Sequence, residues 1–334
     1  KSGIQSLEIG SFVNPKAVPA MSGTDELFKK LGNQSNYSVL IPNTKGFDIA
    51  VDNNVKEICL VLCVTDSMNR KNINKSVSES ICEFNEIIKK ARIKNIRTKC
   101  YISVAFHCPY EGKVDLGFVT DLTNKIIDFG IDEIVIADTI GKANPMEVKL
   151  LFKELLKHSP TNLFSAHFHD TKALGLANVF ASLDQGINKF DACVGGLGGC
   201  PFAPGSSGNL PTEDLVSLLE MMNVNTGIDL DSLIKAREIA SLMTSFFSST
   251  IPKTICSVLN GVSRICLKIC FKPSSLCAVS QITSGFLPNI CHLPNIPVFF
   301  IVFSSPVLIL FSVIFHPCFF NSIVAEMTVL IFSF

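Results

Sequence analysis

The chain has 334 residues, enough for one α/β barrel of about 250 residues with additions, or for two ordinary domains. Hydrophobic residues make up 47% of it, so a large core can form, and 29 Lys and Arg residues balance 29 Asp and Glu residues. This neutral charge, without long basic or acidic runs, argues against nucleic acid or an anionic membrane surface as the main partner. It does not exclude a small anionic substrate, because a few local charges are enough to bind one.

Apolar runs alternate with segments of helical spacing from the first residues to about residue 222. The runs predict strands buried on both faces, as in a parallel sheet, and the repeating order predicts a doubly wound sheet or a barrel. The predicted strands cover residues 4–13, 37–41, 57–64, 98–106, 133–137, 163–168 and 190–194. The predicted helices cover residues 24–31, 45–53, 77–94, 116–129, 145–158 and 173–186.

The start of the chain and the strand count point to one architecture. Residues 1–3 read like the end of a helix that runs into a strand, and seven predicted strands are one short of eight. We therefore expect a TIM (β/α)8-type barrel, within residues 1–253, that lacks its first β/α unit. Polar side chains follow four of the strands, as on the catalytic rim of such barrels. They are Glu8 and Ser11, Asp138 and Thr139, residues 167–171, and the glycine loop after Val194.

The composition changes after about residue 253. Between residues 254 and 334 only Arg264, Lys268, Lys272 and Glu326 are charged, and no helical or alternating period is visible. We expect residues 254–334 to be an irregular apolar tail and not a folded domain, an aggregation hazard typical of a frameshifted or read-through extension. A membrane anchor over residues 298–315 is the less favoured alternative, because Pro306 interrupts the segment.

The cysteines indicate the compartment. Seven of the thirteen lie scattered through the first 250 residues, mostly in apolar runs, without a CxxC pair or a secretory signal before them. Reduced, buried thiols in a cytosol-like compartment are therefore expected. This means the cytoplasm, or the mitochondrial matrix if the source is eukaryotic.

Two histidines near the end of one predicted strand form the strongest candidate site. Residues two apart on a strand face the same side, so His167 and His169 point together while Phe168 faces the helices. Two imidazoles on one face can supply half of a metal site, and the alternative is two unrelated histidines. The rim location and the adjacent Asp170 favour metal binding.

A glycine-rich loop follows the last predicted strand. Its six glycines allow a close backbone approach to a ligand, and Cys200 within it is a candidate for proton exchange. A merely flexible loop is the alternative, and a P-loop is excluded because no Lys-Ser/Thr pair follows. Asn209 offers an amide oxygen to join His167 and His169. Imidazoles with oxygen ligands suit Mg²⁺ or Mn²⁺ better than a structural zinc.

Several of these motifs together resemble the hydroxymethylglutaryl-CoA lyase family, a group of metal-dependent TIM-barrel lyases. The resemblance runs in order through the segments EIGSFVNPKAVP (8–19), CPYEGK (108–113), ADTIG (137–141), HFHDT (167–171), GGLGGCP (195–201) and GNLPTED (208–214). It covers residues 1 to about 253. The related isopropylmalate and homocitrate synthases share the His-x-His strand but differ around the Gly-Gly-Cys-Pro loop.

The resemblance implies cleavage of 3-hydroxy-3-methylglutaryl-CoA, an acyl-CoA of leucine degradation, into acetyl-CoA and acetoacetate. It implies metal ligation by His167, His169 and Asn209, with His167 also available for acid–base chemistry. It further implies proton transfer by Cys200, support of substrate and protons by Asp138 and Glu8, and an outer supporting role for Glu213. The resemblance is also compatible with a homodimer.

The chain departs from the family pattern in two places. The Arg-Asp pair of the family's first strand, an oxyanion stabiliser and a metal ligand, does not occur in the printed sequence, and His107 stands where a small residue is expected. Loss of such a stabiliser typically lowers the rate by about 10²- to 10³-fold, so we expect little activity from the polypeptide as printed. A non-catalytic remnant, a membrane-tethered protein and an α-keto acid condensing synthase are the competing hypotheses.

Overall fold

Seven parallel strands form one sheet whose order follows the chain. The computed structural model describes residues 2–31, 36–199, 208–250, 298–304, 307–316 and 324–333. Each strand pairs in parallel with the next, in the order β1-β2-β3-β4-β7-β8-β9, and the sheet curls as in a TIM-type barrel. The strands are β1 Leu7–Ser11, β2 Tyr37–Leu40, β3 Glu57–Cys63, β4 Arg97–Ser103, β7 Glu133–Asp138, β8 Phe164–Phe168 and β9 Phe190–Asp191.

The helices lie between these strands and after the last one. They are α1 Thr24–Leu31, α2 Thr44–Asp52, α3 Asp66–Ile73, α4 Val77–Ile93, α5 Leu116–Asp128, α6 Pro145–Leu155, α7 Gly175–Leu183, α8 Thr212–Met221 and α9 Leu230–Thr250. A short antiparallel hairpin, β5 His107–Cys108 with β6 Gly112–Lys113, separates β4 from α5. The curled parallel sheet with its helices confirms the barrel prediction.

The core forms where the helices cover the outer face of the sheet. All six residues of β7 are buried, as expected for a strand covered on both faces. Phe152 of α6 meets Phe164 of β8 edge-to-face, with ring centroids 6.5 Å apart, and neither ring is accessible. Phe168 is also buried, so the alternation of β8 sends its aromatic residues to the helices and His167 to the inner face.

The predicted elements agree with the structure within a few residues, but helices α8 and α9 and the β5–β6 hairpin were not predicted. Two further differences are informative. Helix α3 was not predicted, because its sequence DSMNRKNI carries few apolar residues at helical spacing. Strand β9 ends at Asp191, three residues earlier than predicted. The backbone of Cys193 instead donates to the Leu210 carbonyl at 3.0 Å, because the chain from 208 to 211 returns alongside and supplies a partner.

A capping box begins α6 and connects it to the β5–β6 hairpin. The Asn144 side chain accepts hydrogen bonds from the amides of Met146 and Glu147, and the Glu147 carboxylate accepts from the Asn144 amide. The same carboxylate contacts His107 at 3.2 Å and Lys113 at 3.0 Å. His107, unexpected from the family pattern, is therefore tied to the start of α6.

We expect Asn144→Ala to lower the free energy of unfolding by about 1 kcal/mol, because two amides of the first turn lose their acceptor. Urea denaturation followed by circular dichroism measures the change. Lys153→Ala, at an exposed position of the same helix, is the control and should stay close to the parent protein. Equal stability of the two variants would show that the cap contributes nothing measurable.

The chain divides into two compact units, residues Lys1–Gly261 and Val262–Phe334. In the second unit, β10 Val298–Ser304, β11 Val307–His316 and β12 Val324–Ser333 form an antiparallel sheet in chain order. These strands fall in the tail for which the sequence shows no regular period. The described residues of the candidate anchor at 298–315 belong to β10 and β11, and residues 305 and 306 lie outside the described ranges. The part of the chain that the structure describes contains no helix long and apolar enough to cross a membrane.

Candidate active site

The carboxyl ends of β8 and β9 bring two imidazoles and an amide together. The rings of His167 and His169 have their centroids 5.3 Å apart and planes inclined at 54°. With metal–nitrogen bonds of about 2.1 Å, two imidazoles on one cation have centroids roughly 5 Å apart. The two rings thus stand at a separation that suits a shared ligand.

Asn209 reaches the histidines by backbone pairing across the sheet edge. It forms an isolated antiparallel bridge with His169, and the neighbouring amide of Leu210 donates to the Phe168 carbonyl at 3.1 Å. The Asn209 side-chain amide donates to the Leu197 carbonyl at 2.8 Å and contacts the Cys193 sulfur at 3.4 Å. These two contacts fix the orientation of the amide and leave its oxygen, Oδ1, for another partner.

Unpaired polar atoms concentrate at this point. His169 Nδ1 and Asn209 Oδ1 are buried and lack a hydrogen-bond partner among the residues that the structure describes. Leaving such atoms unsatisfied is costly, so they suggest a ligand. Burial, and then the neighbouring His167, lower the pKa of His169 from 6.5 to about 3. His169 is therefore a neutral imidazole at physiological pH, the form that binds a cation.

The donor set thus fits a divalent cation with mixed nitrogen and oxygen ligands. No group of three or more His, Cys, Asp and Glu side chains suited to a metal occurs in the described ranges. The candidate set differs from such a group because its third member is the Asn209 amide.

Asp191 of β9 lies behind His167 and was not predicted. Its Oδ2 atom is 3.6 Å from His167 Nδ1, just beyond hydrogen-bond distance, and neither atom has another partner in the described residues. The two residues are paired in register between β8 and β9. Burial alone would raise the pKa of Asp191, but His167, Lys99 and Tyr101 stabilise the carboxylate and lower the pKa to about 2. A carboxylate facing Nδ1 leaves Nε2 of His167 as the nitrogen available to a cation.

A buried ion-pair network continues from Asp191 into the barrel. Lys99 Nζ lies 3.5 Å from Asp191 and 3.4 Å from Glu133. Glu133 also accepts from Arg97 at 2.6 Å and from the Ser165 hydroxyl at 2.9 Å. Burial would lower the pKa of Lys99, but Asp191 and Glu133 raise it above its usual value, so Lys99 is a cation. Charged residues at alternate positions of β4, 97 and 99, were the sequence signal for this inward face.

Glu8 and Tyr101 occupy the opposite wall of the barrel interior. The Tyr101 hydroxyl donates to Glu8 at 3.3 Å, and its ring meets His167 edge-on with centroids 5.9 Å apart. Surrounding protein and then the charge of Asp191 raise the pKa of the Glu8 carboxyl. The open sheet edge keeps Glu8 exposed, so this desolvation is only partial. Tyr101 therefore lies between Glu8 and His167 and contacts both.

Asp138 is buried at the end of β7 and holds the following loop. Its two carboxylate oxygens accept from the amides of Lys142 at 3.1 Å and Ala143 at 2.9 Å. Burial raises the pKa of Asp138, while these amides act in the opposite direction. The predicted residue therefore lies on the rim, with its oxygens occupied by the loop.

Glu213 connects helix α8 to the glycine loop. Its carboxylate accepts from the Gly195 amide at 3.0 Å and pairs with Arg237 of α9 at 3.3 Å. Glu213 thus holds Gly195, two residues before the Leu197 carbonyl that accepts from the Asn209 side chain. Cys200, the residue predicted to take part in proton transfer, lies outside the described residues.

The fold and these residues together define a TIM-barrel enzyme of the lyase type. The HMGL-like family model matches residues 1–240, and the chain belongs to that family. Hydroxymethylglutaryl-CoA lyase YngG of Bacillus subtilis is 41% identical over 238 residues, which cover 71% of this chain and 80% of the relative. The family's lyases depend on a divalent metal.

Two further relatives bear on the substrate. An HMG-CoA lyase from Acinetobacter baumannii, solved in complex with coenzyme A and 3-methylmalate, shares 40% identity with a TM-score of 0.68. The match covers 71% of this chain and 78% of that structure. The (R)-citramalyl-CoA lyase of Chloroflexus aurantiacus is 37% identical over 249 residues, covering 71% of this chain and 78% of the relative. All three relatives have coenzyme A in their names or ligands.

Proposed function

We propose that the chain cleaves 3-hydroxy-3-methylglutaryl-CoA to acetyl-CoA and acetoacetate, with Mg²⁺ or Mn²⁺ bound by His167, His169 and Asn209. One observation carries the proposal. In a chain 41% identical to a hydroxymethylglutaryl-CoA lyase, the Nδ1 atom of His169 and the Oδ1 atom of Asn209 are both buried and unpaired beside the His167 ring. The compartment that fits is the cytoplasm or the mitochondrial matrix.

The reaction needs one proton removed and one returned. The C3 hydroxyl loses its proton, the C2–C3 bond breaks as the C3 carbonyl forms, and the electron pair passes to the acetyl-CoA enolate, which is then protonated at C2. A bound divalent cation would supply Lewis-acid polarisation and orient the hydroxyl and carbonyl oxygens. The protein residues therefore have to hold the substrate in place and move these two protons.

The side chains of the interior divide these tasks. His167 is backed by Asp191 at 3.6 Å through Nδ1, so it can accept the hydroxyl proton only through Nε2, in a state in which that nitrogen does not bind the cation. Glu8, whose pKa is raised, and Tyr101 can hold protons on the facing wall. Asp138 supports the site by holding residues 142 and 143 in place, and Glu213 does the same for Gly195. Cys200, carried by the resemblance, is the proposed donor of the second proton.

Product analysis tests the proposal. The protein is incubated with 3-hydroxy-3-methylglutaryl-CoA and Mg²⁺ or Mn²⁺, and acetoacetate and acetyl-CoA are quantified by mass spectrometry over long incubations, because slow turnover is expected. Equal amounts of both products, lost with EDTA, are the expected result. A condensing synthase would instead release free coenzyme A thiol from acetyl-CoA and an α-keto acid. If citramalyl-CoA is cleaved and the methylglutaryl substrate is not, the substrate assignment is wrong. If Mn²⁺ does not bind and no product forms, the chain is a non-catalytic remnant.

A further inference from the structure

Lys99 of β4 connects the base of the barrel to the candidate metal position. It is the middle of three inward-facing residues, with Arg97 below and Tyr101 above. In the sheet order β4-β7-β8-β9 two strands separate Lys99 from Asp191, yet the Nζ atom lies 3.5 Å from Asp191 Oδ1. Only the curl of the sheet makes this contact across the interior possible.

We propose that Lys99 is a positioning residue that holds Asp191 and, through it, sets the orientation of His167. The inference rests on the metal position of the proposed function. Asp191 uses Oδ1 for Lys99, which turns Oδ2 toward His167 Nδ1 at 3.6 Å. Because no other group faces these two buried atoms in the described residues, the carboxylate favours the proton on Nδ1, so the other nitrogen is presented to the cation.

Loss of Lys99 should affect Asp191 more than Glu133, because Glu133 has more remaining partners. Glu133 keeps Arg97, Lys189 and Ser165 when Lys99 is lost. Without Lys99, the Asp191 carboxylate has His167 and Tyr101 as its stabilising partners among the described residues. A neutral side chain at position 99 should therefore leave the Asp191 carboxylate free to turn, while Glu133 stays paired with Arg97, Lys189 and Ser165.

Two effects of the Lys99 charge act in opposite directions. Direct repulsion between Lys99 and a bound cation weakens binding, so removing the charge would by itself increase the affinity. Loss of position acts the other way, since removing an orienting partner of a ligand typically costs 10- to 100-fold in metal affinity. The sign of the change therefore separates positioning from electrostatics.

The experiment measures the Mn²⁺ dissociation constant by electron paramagnetic resonance of the free ion, on the full chain without substrate. We expect Lys99→Met to raise the dissociation constant by about tenfold. Lys189→Met removes the same charge from Glu133 without touching Asp191, and it should leave the constant unchanged. Lys99→Arg keeps a cation beside Asp191 and should restore most of the affinity. Thermal unfolding confirms that each variant is folded.

A double variant tests whether Lys99 acts through Asp191. Asp191→Asn alone should weaken Mn²⁺ binding at least as much as Lys99→Met. When both changes are combined, Lys99→Met should add no further loss, because its target is already gone. Imidazole ¹⁵N chemical shifts of His167 give a second measurement, and both single variants should lose the tautomer with the proton on Nδ1.

Three results would overturn the inference. Unchanged or tighter Mn²⁺ binding in Lys99→Met would mean that Lys99 does not position the ligand. A full additional loss in the double variant would mean that it acts without Asp191. Failure of the parent protein to bind Mn²⁺ would remove the metal position itself, so the proposed function would fail together with this inference. The first two results leave the proposed function untouched.

Discussion

His169→Ala should lower kcat/KM for 3-hydroxy-3-methylglutaryl-CoA by about 10³-fold, equivalent to about 4 kcal/mol of transition-state stabilisation. His169 is the more deeply buried of the two imidazoles, at 4% exposure, and burial lowers its pKa to about 3, so it is neutral, as the proposed ligand role requires. Its removal should also abolish tight Mn²⁺ binding. Initial rates are measured at the Mn²⁺ concentration that saturates the parent protein and at a much higher one. If a metal ligand has been lost, kcat/KM of the variant should recover partly at the higher concentration.

The control for this variant is His158→Ala, an exposed histidine after α6. It removes the same side chain away from the site and should leave both kcat/KM and the Mn²⁺ affinity unchanged. Retention of full activity and Mn²⁺ affinity by a folded His169→Ala protein would rule out His169 as a ligand. Equal losses in both histidine variants would indicate damage to the fold instead of the site.

Glu133→Gln should lower the free energy of unfolding by about 2–3 kcal/mol at neutral pH, because it leaves the buried Lys99 with Asp191 as its remaining anion. Arg97 and Lys189 are 50% and 38% exposed, so solvent screens most of their loss. Glu133 is 5% exposed and contacts Arg97, Lys99 and Lys189. The loss should be larger than that of Asn144→Ala, since a cap concerns neutral groups at a helix end. Urea unfolding at a series of pH values measures it, with the exposed Glu238→Gln as the control.

The pH dependence of this difference has a definite sign. Burial would raise the pKa of Glu133, but Lys99, Ser165, Lys189 and Arg97 lower it, and the net result is below the usual value of 4.5. A carboxylate with a lowered pKa contributes stability that is complete above the unfolded pKa and is lost as the pH falls through the folded one. The gap between Glu133→Gln and the parent should therefore be full above about pH 4.5 and narrow below it. A gap independent of pH would mean that the Glu133 charge does not stabilise the fold.

Local patterns were sufficient for most of the elements and for part of the site. The strand from Phe164 to Phe168 alternates buried apolar residues with the polar Ser165 and His167, so its period alone placed His167 on the inner face. The glycine loop and Asn209 were recognised by residue type and by family resemblance. Helix α3 escaped because it packs mainly through Met68 and Asn69, which leave little periodic signal.

The inward-facing charges were the larger omission. Asp191 was read as part of an apolar strand, and Lys99 and Glu133 were read as strand residues without a role. Each of them depends on partners more than thirty residues away in sequence, since Glu133 meets Arg97 and Ser165, and Asp191 meets Lys99. A single-sequence pattern contains no information about which distant strands face each other.

The sequence by itself determined the order of strands and helices, the inward direction of His167 and the family, because strand alternation and short motifs depend on neighbours within a few residues. The tertiary structure alone decided that Asn209 returns beside His169, that Asp191 lies behind His167, and that Lys99 reaches Asp191 across two intervening strands. These contacts follow from parallel register and from the curl of the whole sheet. Both are set by the packing of all the helices against it, and no local segment specifies them.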